Sequence, residues 1–177
     1  MRAIKSIGIC FLLLAAITVS GQTKKDRKIM KDAEKAKQTL LKSDSGLQGF
    51  FDTSAGYVIF PNVGKGGFII GGASGNGVVY DAEEQPIGMA DLKKLNIGLQ
   101  AGGQSIIEII FFETITDLKR FKEGKFQFAA EASAVAVKSG IAVNAKYKDG
   151  VAVFALPKAG LMADASVGGQ KFGYSSF

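Results

Sequence analysis

Residues 56–80, GYVIFPNVGKGGFIIGGASGNGVVY, constrain the fold more than any other part of this chain. Short runs of apolar, β-branched and aromatic residues alternate there with glycines. That pattern predicts three short strands joined by tight turns. The first run, residues 57–60, is closed by Pro61, which has no N–H to give to a ladder. The second holds Phe68, Ile69 and Ile70 between glycines. Asn76-Gly77 then introduces Val78, Val79 and Tyr80. Asn-Gly between apolar runs signals a hairpin, because both residues tolerate the positive φ of a tight turn.

The same style continues downstream. Residues 81–86 read as a polar loop, and Ile87 opens another strand. Residues 95–101 and 106–112 follow as strands. The second of these, IIEIIFF, is apolar on both faces except for Glu108, which predicts a central strand covered on both sides. Residues 114–122 read as a short helix presenting Ile115, Leu118 and Phe121, with Gly124 as its stop. Residues 126–137 alternate cleanly and place four alanines on one face, allowing close approach of a second layer. Residues 141–147 and 151–156 read as a hairpin around Asp149-Gly150. A last strand spans residues 161–174, with a bulge or bend at Gly168-Gly169. No stretch is long enough to link a second domain.

The first 21 residues read as a secretory signal peptide: Arg2 and Lys5, an apolar run over 7–19, and Val19-Ser20-Gly21 before the cleavage site. The expected mature chain starts near Gln22 as one domain, with a basic amphipathic helix over 22–44 and a β-rich core over 45–177. The expected location is exported, in the periplasm or outside the cell, peripheral to a membrane. Beyond Cys10 there is no Cys, and there is no His at all. This excludes disulfides, thiolate and Ser-His-Asp catalysis, and the usual nitrogen and sulfur zinc sites.

The charge is concentrated. Removing the leader leaves 20 basic and 16 acidic residues, a net +4. Residues 22–44 hold eight of the basic and four of the acidic residues, so the whole excess lies on this segment. It is rich in Lys, Ala and Leu and free of Gly and Pro, which predicts a helix. At 100° per residue, Lys24, Lys28, Lys31, Lys35 and Lys42 fall on one narrow stripe. Ile29, Ala33, Ala36 and Leu40 fall opposite, flanked by Met30 and Leu41. The apolar face is expected to dock on the domain and leave the lysines outward. An undocked helix lying in a membrane plane fits less well, because the face has two alanines and no aromatic anchor. Leu47, Phe50 and Phe51 in residues 43–54 are expected to staple the helix to the sheet.

Three ordered motifs carry a resemblance. The first is Phe60-Pro61, Lys65, Gly67-Phe68, Gly71-Gly72 and Gly75-Asn76-Gly77-Val78-Val79. The second is IGLQAGGQ at residues 97–104, and the third is KAGLMADASVGGQ at residues 158–170. Together they resemble the SYLF domain, a lipid-binding family found in eukaryotic actin regulators and secreted bacterial proteins. The resemblance spans roughly residues 35–177. Many members carry a Trp after the first motif and an acidic residue after the second. This chain has no Trp, and Ser105-Ile106 follows its second motif.

These readings converge on an α+β domain. An antiparallel sheet of about eight or nine strands curls into a sandwich or partial barrel, with the N-terminal helix and one short later helix. The resemblance implies non-enzymatic binding of anionic phospholipid or membrane surfaces, with self-association as a further expectation. A protein–protein scaffold is the alternative, motivated by the actin-regulating relatives. The expected lipid-binding residues are Lys24, Lys28, Lys31, Lys35, Lys42 and Lys65. Lys65 lies between two glycines whose N–H groups would add to its positive field. No catalytic residue, metal or cofactor is expected. The glycine cluster lacks the Gly-Lys-Ser/Thr ending of a phosphate loop, so no nucleotide is expected. Nor is nucleic acid, since the lysines are not interleaved with stacking aromatics. Glu83-Glu84 reads as a solvated pair. Glu108 and Glu131 read as carboxylates that face solvent or pair with a lysine.

Overall fold

The structure, a computed structural model, describes residues 23–64, 73–94, 105–124, 135–158 and 170–177. The expected leader, Lys65, the strands at 66–72 and 95–101, the second motif, most of the alternating run at 126–137 and residues 159–169 lie outside the described residues.

The fold is α+β. Helix α1 (Lys24–Ser43) leads through a 3₁₀ turn (Ser45–Leu47) into α2 (Gln48–Thr53). Strands β1 (Gly56–Gly64), β2 (Ala73–Asp81), β3 (Pro86–Lys94) and β4 (Ile106–Phe112) follow, then α3 (Ile115–Lys122). Strands β5 (Val135–Ala136), β6 (Val151–Pro157) and β7 (Gln170–Ser176) complete it. The sheet order is β5-β6-β4-β1-β2-β3-β7.

Both faces of the central strands are buried, and alternation assigns each residue to a side. Tyr57, Ile59, Val78, Ile109, Phe111 and Phe154 pack under α1 and α2. Val58, Phe60, Val79, Ile110, Phe112 and Phe172 pack on the other side with Leu118 and Phe121 of α3. The two-sided apolar pattern of residues 106–112 thus becomes a strand inside the sheet, between β6 and β1. The aromatics of α2 act as the expected staple. Phe50 meets Phe111, Phe154 and Tyr147 at ring-centroid distances of 5.0–5.4 Å, and Phe51 meets Tyr57 and Phe111 at 4.9 Å.

Several expectations are corrected. The sheet has seven strands among the described residues, not eight or nine, and it is mixed, because β5 runs parallel to β6. Parallel neighbours need a crossover of a dozen or more residues. Residues 137–150 supply one, where a hairpin was expected. The sheet curls enough for Phe172 of edge strand β7 to reach Phe121 of α3 at 5.3 Å. Among the described residues it stays open: β5 and β7 stand at opposite ends of the strand order.

Pro61 does not end β1. It sits at a register shift between Ile59 and Asn62, where a bulge removes the need for its missing N–H. Asn76-Gly77 is not a turn but lies inside β2, with Asn76 opposite Asn62 and Gly77 opposite Ala90. Gly77 is there for space: a Cβ would stand 2.6 Å from the Ile59 carbonyl oxygen and 2.7 Å from the Phe60 ring. In α3, Leu118 and Phe121 are buried as expected, but Ile115 is 67% exposed. Ile115 is the first residue of the helix, ahead of the turn that packs. Glu108 does not face solvent. It is fully buried, and Gln170 of β7 donates to it at 3.4 Å.

The Asp149-Gly150 turn is as expected, with φ of 52° and 80° and a reciprocal hydrogen-bonded pair between Lys148 and Val151. The strand expected before it is absent. Instead the chain winds into a 3₁₀ turn (Ala142–Asn144) around the buried carboxylate of Asp44. Ala142 N–H donates to it at 2.8 Å and Gly46 N–H at 3.0 Å. Burial pushes this carboxyl up, but the backbone donors of Ala142, Gly46, Gly140 and Ile141 outweigh it and hold it below the usual range. A depressed folded value contributes stability above the unfolded pKa of about 4 and loses it as pH falls through the folded value. Asp44→Ala leaves a buried N–H without an acceptor. It is expected to cost about 2 kcal/mol at neutral pH and lower the melting midpoint by roughly 4–8 °C. Thermal melts should show the gap to wild type narrowing below about pH 4.

Candidate functional site

The site begins with the way α1 starts. Thr23 accepts from Asp26 N–H at 3.1 Å, and the Asp26 carboxylate accepts from Thr23 N–H at 2.9 Å. This capping box satisfies two helix-end donors. The Thr23 hydroxyl, and then its N–H, hold Asp26 below the usual carboxylate range. The helix runs for 20 residues, about 30 Å. Ala33, Ala36 and Leu40 are buried, and Ile29, Met30 and Leu41 pack beside them on the sheet. The helix is therefore docked through the face the sequence indicates.

Docking turns the lysine stripe outward. Lys24, Lys28, Lys31, Lys35 and Lys42 are all exposed. Among the described residues none of them holds an ion pair. Lys24 and Lys42 are 18 residues apart, so the stripe is about 27 Å long. Lys65 lies outside the described residues. Gly64, the residue before it, ends β1 at the sheet end where β4 starts and β6 ends, since Val63 pairs with Ile106 and Ile106 with Pro157. Lys158, which opens the third motif, hydrogen-bonds to Asn62 there, and its N–H donates to the Ser105 carbonyl at 3.0 Å. Lys158 of the third motif thus meets β1, the strand that carries Phe60-Pro61 of the first, at one end of the sheet.

Lys37 behaves differently, and the stripe omits it. It pairs with Glu84 and lies 4.5 Å from the Phe51 ring centroid. Glu84 is exposed, as expected, and its carboxylate also ties α1 to the β2–β3 turn. The wheel holds the signal, because Lys37 falls among the docking residues, between Ala33 and Met30. Beneath it Tyr57 and Tyr80 stack at 4.8 Å. Burial, then the Glu34 and Glu84 carboxylates, push the Tyr80 phenol up to about 12, and burial raises Tyr57 as well. Both rings stay neutral at physiological pH.

Beyond the C-terminal end of α1 lies an open cleft of about 660 Å³. Phe50, Thr53, Glu113, Val143, Lys146 and Tyr147 are among the residues that line it. Among the described lining residues Glu113 is the one carboxylate. Among the described residues no cluster of three His, Cys, Asp or Glu could hold a metal ion. No described helix is long and apolar enough to cross a membrane.

No family model matches the chain. It is similar to Beta cell expansion factor A of Aeromonas veronii, at 27% identity over 124 residues. The match covers 69% of this chain and 46% of that protein, so the chain spans about half the length of the relative it matches. The geometry adds what identity at this level leaves open. One face of α1 is committed to the core, and its five-lysine face holds no ion pair among the described residues.

Proposed function

We propose that the protein is a SYLF-type domain that binds anionic lipid surfaces without catalysing a reaction, in the periplasm or cell envelope. The observation that carries this reading is the exposed row of five lysines on a helix whose other face is docked. A docked helix presents its charges on a fixed surface, so few rotamers beyond the lysines' own must be ordered on binding. The three motifs support the family reading, and the relative from Aeromonas veronii is consistent with a bacterial setting.

The magnitude bounds the affinity. A basic residue near an anionic surface supplies roughly 1 kcal/mol, so five supply at most about 5 kcal/mol. One copy binds weakly, and self-association would multiply the attachment. The test is co-sedimentation with phosphatidylcholine vesicles and with an equal mixture of phosphatidylcholine and phosphatidylglycerol. Binding is expected on the mixed vesicles only. It should weaken steeply as the Debye length shortens from about 30 Å at 0.01 M salt to about 8 Å at 0.15 M. Equal binding to both vesicles, or none at low salt, would overturn the reading and leave the protein–protein scaffold.

A further inference from the structure

The turn Ala142–Asn144 and the residue before it, Ile141, expose two apolar side chains that the lysine stripe does not account for. Val143 is 74% exposed and Ile141 43%, while Ala142 between them is buried. Single exposed apolar residues are ordinary. Here two β-branched residues stand at the tip of one loop, and the loop is anchored. The buried Asp44 carboxylate accepts from the Ala142 N–H at 2.8 Å, so the turn cannot fold its apolar tip inward without breaking a buried hydrogen bond.

The exposed charges on the loop itself, from Lys138 to Lys148, are of one sign. Lys138, Lys146 and Lys148 are exposed on the same loop. The acidic groups nearby are the buried Asp44 that anchors the turn, Glu113 across the cleft, Asp149 in the following turn and Asp117 beside Gly150. No acidic residue lies between Lys138 and Lys148. The loop also joins the lysine stripe, because its anchor Asp44 follows Lys42 by two residues. An exposed apolar pair flanked along the loop by exposed lysines matches the boundary between anionic head groups and acyl chains.

We infer that residues 138–148 form a membrane-dipping loop, in which Ile141 and Val143 enter an anionic bilayer while Lys138, Lys146 and Lys148 hold the head groups. This rests on the lipid-binding reading and adds an apolar element to it. The stripe steers the protein to the surface, and the loop slows its release.

The chain has no Trp, so one introduced Trp reports a single place. Val143→Trp puts it at the tip. Ile115→Trp puts it on α3, at an exposed site on the opposite face of the sheet. With phosphatidylglycerol-containing vesicles, V143W emission should move to shorter wavelength and be quenched by lipids brominated on their acyl chains, while I115W emission should not change. Replacing Ile141 and Val143 together by Ser should lower partition by roughly tenfold or more, the factor that burying one such side chain supplies. If wild type sediments with the vesicles but V143W behaves like I115W, the loop does not dip and the lipid reading stands. Equal blue shifts at both sites would also overturn the loop. If wild type does not sediment, the loop and the lipid reading fall together.

Discussion

Replacing Lys24, Lys28, Lys31 and Lys35 together by Glu is expected to reduce partition onto anionic vesicles by at least about a hundredfold. Each lysine supplies roughly 1 kcal/mol at such a surface, and 1.4 kcal/mol is a factor of ten. Loss of four approaches a thousandfold before screening, and the new carboxylates add repulsion. The fold should survive. All four side chains are exposed, and such substitutions usually shift stability within about 0.5 kcal/mol each. Glu at position 24 also suits the first turn of a helix, where negative charge is favoured. Changing the same lysines to Arg keeps the charge and should preserve binding. A Glu variant that sediments like wild type would show the stripe to be only a solvated face.

Phe111→Ala should produce the largest loss of stability from a single truncation. Phe111 is fully buried, and its ring meets Phe50, Phe51, Tyr57 and Phe154 at 4.9–6.0 Å. These partners come from α2, β1 and β6, so one side chain ties the stapling helix to the two strands flanking β4. Truncating a buried Phe costs about 3–5 kcal/mol, which in a domain of this size lowers the melting midpoint by roughly 6–20 °C. Ile115→Ala, on an exposed apolar residue of α3, should stay within about 0.5 kcal/mol. Equal shifts for the two variants in chemical denaturation would contradict the packing described.

The placement of α1 was legible because a helix wheel is local. Its period alone sorts Ala33, Ala36 and Leu40 from Lys24, Lys28 and Lys31, and the core needed only to accept the apolar side. The same holds for β4, where an apolar run on both faces can be satisfied only inside a covered sheet. Asp149-Gly150 was legible for a similar reason, since positive φ at two successive residues is a property of the turn itself. Asn76-Gly77 carries the same turn chemistry and forms no turn. There Gly77 is required by the approach of Ile59 and Phe60 from the neighbouring strand, a contact between residues far apart in the chain.

The sequence by itself determined the α+β class, the docked basic helix, the stapling aromatics and the exclusion of His and Cys chemistry, because each follows from residue type and short-range period. Only the tertiary structure decided the rest. It set β5 parallel to β6, carried β1 through Pro61 on a bulge, buried Glu108 beside Gln170, and paired Lys37 with Glu84. It also wound residues 140–144 around Asp44, which turned an expected strand into a loop with an exposed apolar tip. The physical reason is common to all of these. Each depends on a hydrogen bond, an ion pair or a steric limit between residues distant in sequence, and a local pattern holds no record of which distant partner the folded chain brings near.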